Sequence, residues 1–158
     1  MKTKFFAFLP KTLKNLFMQT QTHIKQPIAV SALPNMIEQS PVAMLFETSI
    51  GECSPGYAEV KVPVNEKVMQ HRGIVNGAVL GFLADTACCM AAATKSGDVR
   101  TQEYKINFIA PAMGQELIGK GSVIGGSFSQ LIARADIYAR NGKNEYLVAT
   151  ALATLFTL

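Results

Sequence analysis

Asp85 stands in the most demanding setting of any charged residue in the chain. It lies within Leu80-Gly81-Phe82-Leu83-Ala84-Asp85-Thr86-Ala87-Cys88, and no other charged residue occurs between Arg72 and Lys95. Removing an unpaired carboxylate from water is costly, so Asp85 must meet solvent, find hydrogen-bond donors, or work as a base or nucleophile. An exposed helix edge and a purely structural hydrogen bond are the bland alternatives. Just upstream, Gln70-His71-Arg72-Gly73-Ile74-Val75-Asn76-Gly77 sets an amide and then a glycine at a helix start. Free N–H groups at such a start form a partial positive pole that suits a developing oxyanion. Gly77 lets a substrate come close to that backbone. Asn76 serves equally well as a simple N-cap.

Spacing adds a constraint. Gly77 and Asp85 are eight residues apart on one helix, or ~12 Å along its axis at 1.5 Å per residue. One reacting carbon cannot sit within ~3–3.5 Å of both. If both act on the same carbonyl, they come from different subunits, which calls for a two-fold dimer with its sites at the interface.

Other reactive residue types offer less. Cys88 and Cys89 have no histidine placed to activate them, and buried small hydrophobes is the reading that fits. Only His23 and His71 are present. Gly125-Gly126-Ser127 lacks the glycine and Lys-Ser/Thr pattern of a phosphate loop and reads as a turn. Three cysteines, two of them adjacent and none in CxxC spacing, exclude a disulfide framework and argue against zinc. They fit a reducing, cytoplasmic setting.

The elements that must position these groups follow from periodicity. Gly77 to Ser96 is the one long helix, with Val79, Leu83, Ala87, Met90 and Thr94 on successive turns and Gly97-Asp98 ending it. Before it, a short helix is expected over Leu33 to Ser40. Period-2 runs follow at Pro41 to Ile50 and Tyr57 to Val64, with a turn over Gly51 to Gly56 and a polar loop from Asn65 to Arg72. After the helix, strand-like runs cover Arg100 to Ile109, Glu116 to Ile124, Gln130 to Tyr138 and Glu145 to Phe156. Short links, including the hairpin signal Asn141-Gly142, let sequence neighbours pair antiparallel. The long helix is apolar on most sides, so a strongly curved antiparallel sheet wrapped around it is the α+β architecture that accounts for both.

At 158 residues and 49% hydrophobic content, the chain supports one domain with a sizeable core. No uncharged apolar stretch reaches the ~20 residues of a membrane span. The net charge of +4 is unevenly placed. Five lysines and no acid precede Glu38, whereas ten basic residues face eleven acids from Glu38 onward. A nucleic-acid binder carries its basic stripe on the folded surface, and this near-neutral body argues against one. The N-terminal segment, with Leu13, Leu16 and Phe17 at helical spacing and Lys11 and Lys14 on another side, reads as a short helix packed loosely on the domain. Contact with an anionic membrane and an organelle address are the weaker readings. Pro27 and Pro34 mark a linker, which places a basic extension at residues 1–36 and the folded domain at 37–158.

Two runs carry a resemblance to a known family. Gly73-x-Val75-Asn76-Gly77-Ala78-Val79-x-x-x-Leu83-Ala84-Asp85-Thr86-Ala87 and Thr101-x-Glu103-Tyr104-Lys105-Ile106-Asn107-Phe108-x-x-Pro111-Ala112-x-Gly114 together resemble the hotdog-fold acyl-CoA thioesterases of the PaaI-like group. The resemblance spans roughly Ile37 to Phe156 and implies a hotdog fold, the sheet as bun and the helix as sausage. It implies hydrolysis of an acyl- or aryl-CoA to free acid and CoA by a homodimer or dimer of dimers, with no metal or other cofactor. Residue by residue, Asp85 matches the acid that activates water or attacks the thioester. Gly77 matches the backbone N–H that polarises its carbonyl. Gln70 matches a side-chain amide that helps hold the thioester, and Thr101 a hydroxyl that orients the water in some members. Where the family commonly has His-Gly, this chain has Asn76-Gly77, so Asn76 must cap the helix or donate to the carbonyl without an imidazole. Arg100, Lys105 and Arg134 are candidates to meet CoA phosphates, with solvated strand positions as the alternative. The Gly125–Ser127 turn falls near where the family holds the pantetheine arm. A hotdog dehydratase is disfavoured, since it needs a histidine and none follows His71. A non-catalytic acyl-CoA binder stays open.

Overall fold

A computed structural model describes residues 26–127 and 129–158; the lysine-bearing stretch through Lys25 and its expected helix lie outside the described residues. The long helix, here α3, runs from Gly77–Ser96. The Asn76 side chain accepts the Ala78 N–H at 2.9 Å at its start, and Gly97, at φ 81°, ends it by donating its N–H to the Ala93 carbonyl. By length and composition alone this helix is apolar enough to cross a bilayer. Leu83, Ala84, Ala87, Cys88 and Ala91 to Ala93 are instead buried in the core.

Six strands form one antiparallel sheet: β1 (Ser49–Ser54), β2 (Tyr57–Pro63), β3 (Val99–Phe108), β4 (Glu116–Gly126), β5 (Gln130–Asn141) and β6 (Asn144–Thr157), in the order β1-β2-β4-β5-β6-β3. The expectation that sequence neighbours pair holds for β1–β2, β4–β5 and β5–β6. It fails for β3, which crosses over to pair with β6 at the far edge. The final hairpin turns on Gly142-Lys143, one residue later than Asn141-Gly142: Asn141 pairs Asn144, and Gly142 at φ 58° takes the first central position. Small residues let helix and sheet meet closely. Ala133, Ala135, Ala149, Ala151 and Ala153 are buried with the helix alanines in one cluster, and a Cβ at Gly121 of β4 would overlap the Ala87 carbonyl. On the sheet's other face Lys120 and Arg140 bridge Glu145, and Arg140 also pairs with Glu116 at 2.8 Å.

Three expectations change between Leu33 and the first hairpin. Pro41–Leu45 is a short helix (α2) and not a strand. Ser40 caps it by accepting the Ala43 N–H and Pro41 opens it, a start that suits proline. The alternation of Val42 and Met44 has no burial behind it, since both are about half exposed. The stretch expected as a turn from Gly51 is already β1, and only Pro55-Gly56 turns the chain. The helix expected near Leu33 is present as α1 (Leu33–Glu38), with Pro34 in its first turn and not in a linker. Leu33 is fully buried, and the Ile28 N–H reaches the Ala93 carbonyl at 2.9 Å. The packed body thus includes residues ahead of residue 37.

Candidate active site

Edge strand β3 lies along one ridge of α3. Phe108 packs against Gly77, where a Cβ would stand 3.3 Å from its ring, and the Tyr104 hydroxyl lies 3.0 Å from a Cβ built on Gly81. Thr101 then meets Asp85 and Cys89. Residues 77, 81, 85 and 89 recur at four-residue spacing, the natural ridge of an α-helix. Both proposed catalytic positions therefore face the same strand, two turns apart.

At the helix middle, the Thr101 hydroxyl donates to Asp85 Oδ1 at 2.6 Å. The other carboxylate oxygen has no hydrogen-bond partner among the described residues, and Asp85 is only half-buried. Cys89 Sγ lies 3.2 Å from Thr101 Oγ1. Burial, reinforced by the Asp85 charge, pushes the Cys89 thiol up to about 11; burial, with Cys89 and Asp85 adding to it, takes Cys88 to about 12. Neither thiol is a nucleophile at neutral pH.

At the helix start, the Asn76 amide oxygen takes the Ala78 N–H, and its carbonyl takes the Val79 N–H at 3.0 Å. Of the first three helical donors, the Gly77 N–H alone has no partner among the described residues. Gly77 lines a cavity of about 320 Å³ together with Gln70, Ile74, Leu80, Phe108 and Pro111, among others. The loop holding Gln70 is pinned by Gln70 N–H to the Ile74 carbonyl and Val75 N–H to the Ala112 carbonyl, 2.9 and 3.0 Å. The Gln70 side-chain amide is unbonded among the described residues.

The five sequence candidates thus fall into two groups. Asp85 and Thr101 touch one another; Gln70, Asn76 and Gly77 gather at the helix start. Sequence reasoning left Phe108 unplaced and read Cys89 as a small hydrophobe; the structure puts Phe108 over Gly77 and Cys89 against Thr101. The four-residue recurrence from Gly77 to Cys89 was the signal available for both. Of the basic candidates, Arg134 pairs with Asp136 at 2.9 Å, while Arg100 and Lys105 are exposed.

This arrangement has known counterparts. The thioesterase superfamily model matches residues 72–146. A candidate esterase of Saccharolobus solfataricus is 30% identical over 129 residues, covering 80% of this chain and 84% of that protein. Among solved structures, a thioesterase family protein from Silicibacter pomeroyi superposes with a TM-score of 0.77 at 26% identity, over 81% of this chain and 97% of that one. The PaaI protein from the phenylacetic acid degradation operon of E. coli shares the fold with a TM-score of 0.70 at 20% identity, over 78% and 88% of the two chains. The element order, the central helix and the matched residues agree: the chain belongs to the thioesterase superfamily and has its hotdog fold.

Proposed function

We propose that the protein hydrolyses acyl-CoA thioesters in a site shared by two subunits, with Asp85 of one and the Gly77 N–H of the other acting on one carbonyl. The observation that carries this reading is the separation of a hydroxyl-held carboxylate from a free helix N-terminal donor along the same ridge. β3 ends the sheet, and it is an edge strand of ten residues with Tyr104 and Phe108 41% and 59% exposed on it. Such an edge is a template for pairing with another chain. Antiparallel pairing of two copies of β3 sets the Phe108–Gly77 end of one copy against the Thr101–Asp85 end of the other.

In this reading the acyl group enters the cavity beside Phe108, and the Gln70 amide and Gly77 N–H hold the thioester oxygen. The free oxygen of Asp85 takes a proton from water as the water oxygen attacks the carbonyl carbon. Charge passes to the carbonyl oxygen, which the Gly77 N–H and the helix pole stabilise. Collapse expels the CoA thiolate, which receives the proton from Asp85. Direct attack by the same carboxylate oxygen is the alternative: it expels the CoA thiolate and leaves an anhydride on Asp85, which water then hydrolyses to the free acid, restoring the carboxylate as the released proton passes to the thiolate. Release of free thiol from a panel of acyl-CoAs of varied chain length, benzoyl-CoA included, tests the assignment. Asp85→Asn should lower kcat at least ~10²-fold, the lower end for losing a general base. Binding of the panel without turnover, or an Asn variant within a few-fold of the parent, would refute it.

A further inference from the structure

Cys89 is not among the groups that touch substrate in the mechanism above, yet it stands one turn beyond Asp85 on the same ridge and points at the same hydroxyl. The Thr101 oxygen has Asp85 Oδ1 at 2.6 Å on one side and Cys89 Sγ at 3.2 Å on the other. A threonine hydroxyl carries one proton and two lone pairs, and an ionised carboxylate only accepts. With Asp85 working as a base, the hydroxyl proton is committed to the carboxylate. The contact to sulfur then has one possible direction: the thiol donates and the hydroxyl accepts.

We infer that Cys89 is a positioning residue for the reaction, holding Asp85 in place through a chain that runs from the Cys89 S–H to the Thr101 O–H to the Asp85 carboxylate. The inference rests on Asp85 being the base. A β-branched side chain is already stiff at χ1, so the remaining freedom of Thr101 is rotation of its O–H. The thiol occupies one lone pair and removes the orientations that turn the proton away from Asp85. The second lone pair stays available to the attacking water. Because its burial keeps the thiol protonated well above neutral pH, the donor persists across the range in which a carboxylate base works. The arrangement needs no nucleophilic thiol, and it gives the half-buried cysteine a role that its small size alone does not.

Two substitutions and their combination test the chain, with hexanoyl-, decanoyl- and benzoyl-CoA as probes and the fastest of the three used throughout. Losing a weak neutral donor predicts that Cys89→Ala lowers kcat about three- to tenfold with KM within about twofold. Losing a charge-assisted partner predicts a drop of about 10- to 100-fold for Thr101→Val. Residues acting in one chain are not additive, so Cys89→Ala in the Thr101→Val background should change kcat by less than about twofold. Cys89→Ser, which restores an O–H donor, should return kcat to within about twofold of the parent. Melting curves of all variants check folding, and a purely structural cysteine would lower stability equally in both backgrounds. A Cys89→Ala enzyme with parental kcat would overturn the chain, as would a loss that multiplies in full onto Thr101→Val. Asp85→Asn is the separating control: if it stays active the base assignment itself fails, and if it is inactive while Cys89→Ala is parental only the chain fails.

Discussion

A mixture of two crippled enzymes should recover activity if the carboxylate and the N–H come from different subunits. Asp85→Asn removes the base while its amide oxygen can still accept from Thr101 Oγ1, which now stands 2.6 Å away. Gly77→Leu places a side chain where even a Cβ lies 3.3 Å from the Phe108 ring, so it fills the mouth of the cavity. Melting curves and the native mass of the Gly77→Leu homodimer check that fold and assembly survive the substitution. Alone, each homodimer should retain at most ~1% of parental turnover, the Asn variant through loss of general-base catalysis. After random exchange about half of the dimers are mixed, and each mixed two-fold dimer holds one site with both defects and one with neither, so about a quarter of parental activity should return. Thiol release from the best acyl-CoA gives the rate, and native mass spectrometry confirms that mixed dimers have formed. Recovery to about 25% stands well clear of a ~1% background. Verified exchange with no gain would mean that both groups act within one subunit or that one of them does not act.

Two further outcomes follow from the same geometry. Asn76→Asp should leave the melting temperature within a few degrees, because an acid caps a helix start as well as an amide does. It should nevertheless cut kcat at least ~10-fold by setting a negative charge beside the oxyanion; unchanged kcat would remove Gly77 from the oxyanion role. With folded values near 11 and 12 against an ordinary 9.0, the thiols of Cys89 and Cys88 should react with iodoacetamide at pH 8 at least ~100-fold more slowly than free cysteine. Since these values are raised, the stability that the protonated thiols contribute is complete below about pH 8.5 and falls away as pH climbs toward the folded values. Peptide mapping and melting curves against pH check both, and rapid labelling of Cys89 at pH 8 would contradict its protonated state.

The long helix was legible to the residue because its signals are local: Asn76 caps it, Gly97 ends it, and Asp85 is its one charged residue before Lys95 in the last turn. The strands after it were legible to within a few residues for the same reason, as glycines and prolines punctuate alternating runs. Pairing was less so. Loop length argues for hairpins between neighbours, but β3 is separated from β6 by two whole strands and joins it only because the curved sheet brings its far edge round the helix. The Pro41 segment misled because alternation over five residues fits a strand or a helix start, and only the Ser40 cap distinguishes them. Asp85 stood out by its solitude in an apolar run. Its partner Thr101 did not, being 16 residues away on another element; no spacing rule links them, and the position entered through family resemblance. The cavity walls come from two distant stretches, 70–80 and 108–112, and no spacing rule joins them before folding.

The distance between Asp85 and its own helix start has a chemical consequence for a site of this kind. A carboxylate placed beside the Gly77 N–H would accept that hydrogen bond itself, at a strength of ~1.5–3 kcal/mol for a charged acceptor. The donor meant for the oxyanion would then be spent in the resting enzyme, and the acid would lose basicity to the N–H and the helix pole together. The Asn76 cap prevents a second form of the same loss, since its amide oxygen takes the Ala78 N–H and leaves Gly77 alone unbonded. Two turns of helix, ~12 Å, keep acid and donor apart within each subunit. In the proposed dimer they approach one another only across the interface, with the thioester carbonyl between them. In that dimer one ridge of one helix would serve two sites, giving a base to one and an oxyanion donor to the other, with neither group near enough to neutralise the other within its own subunit.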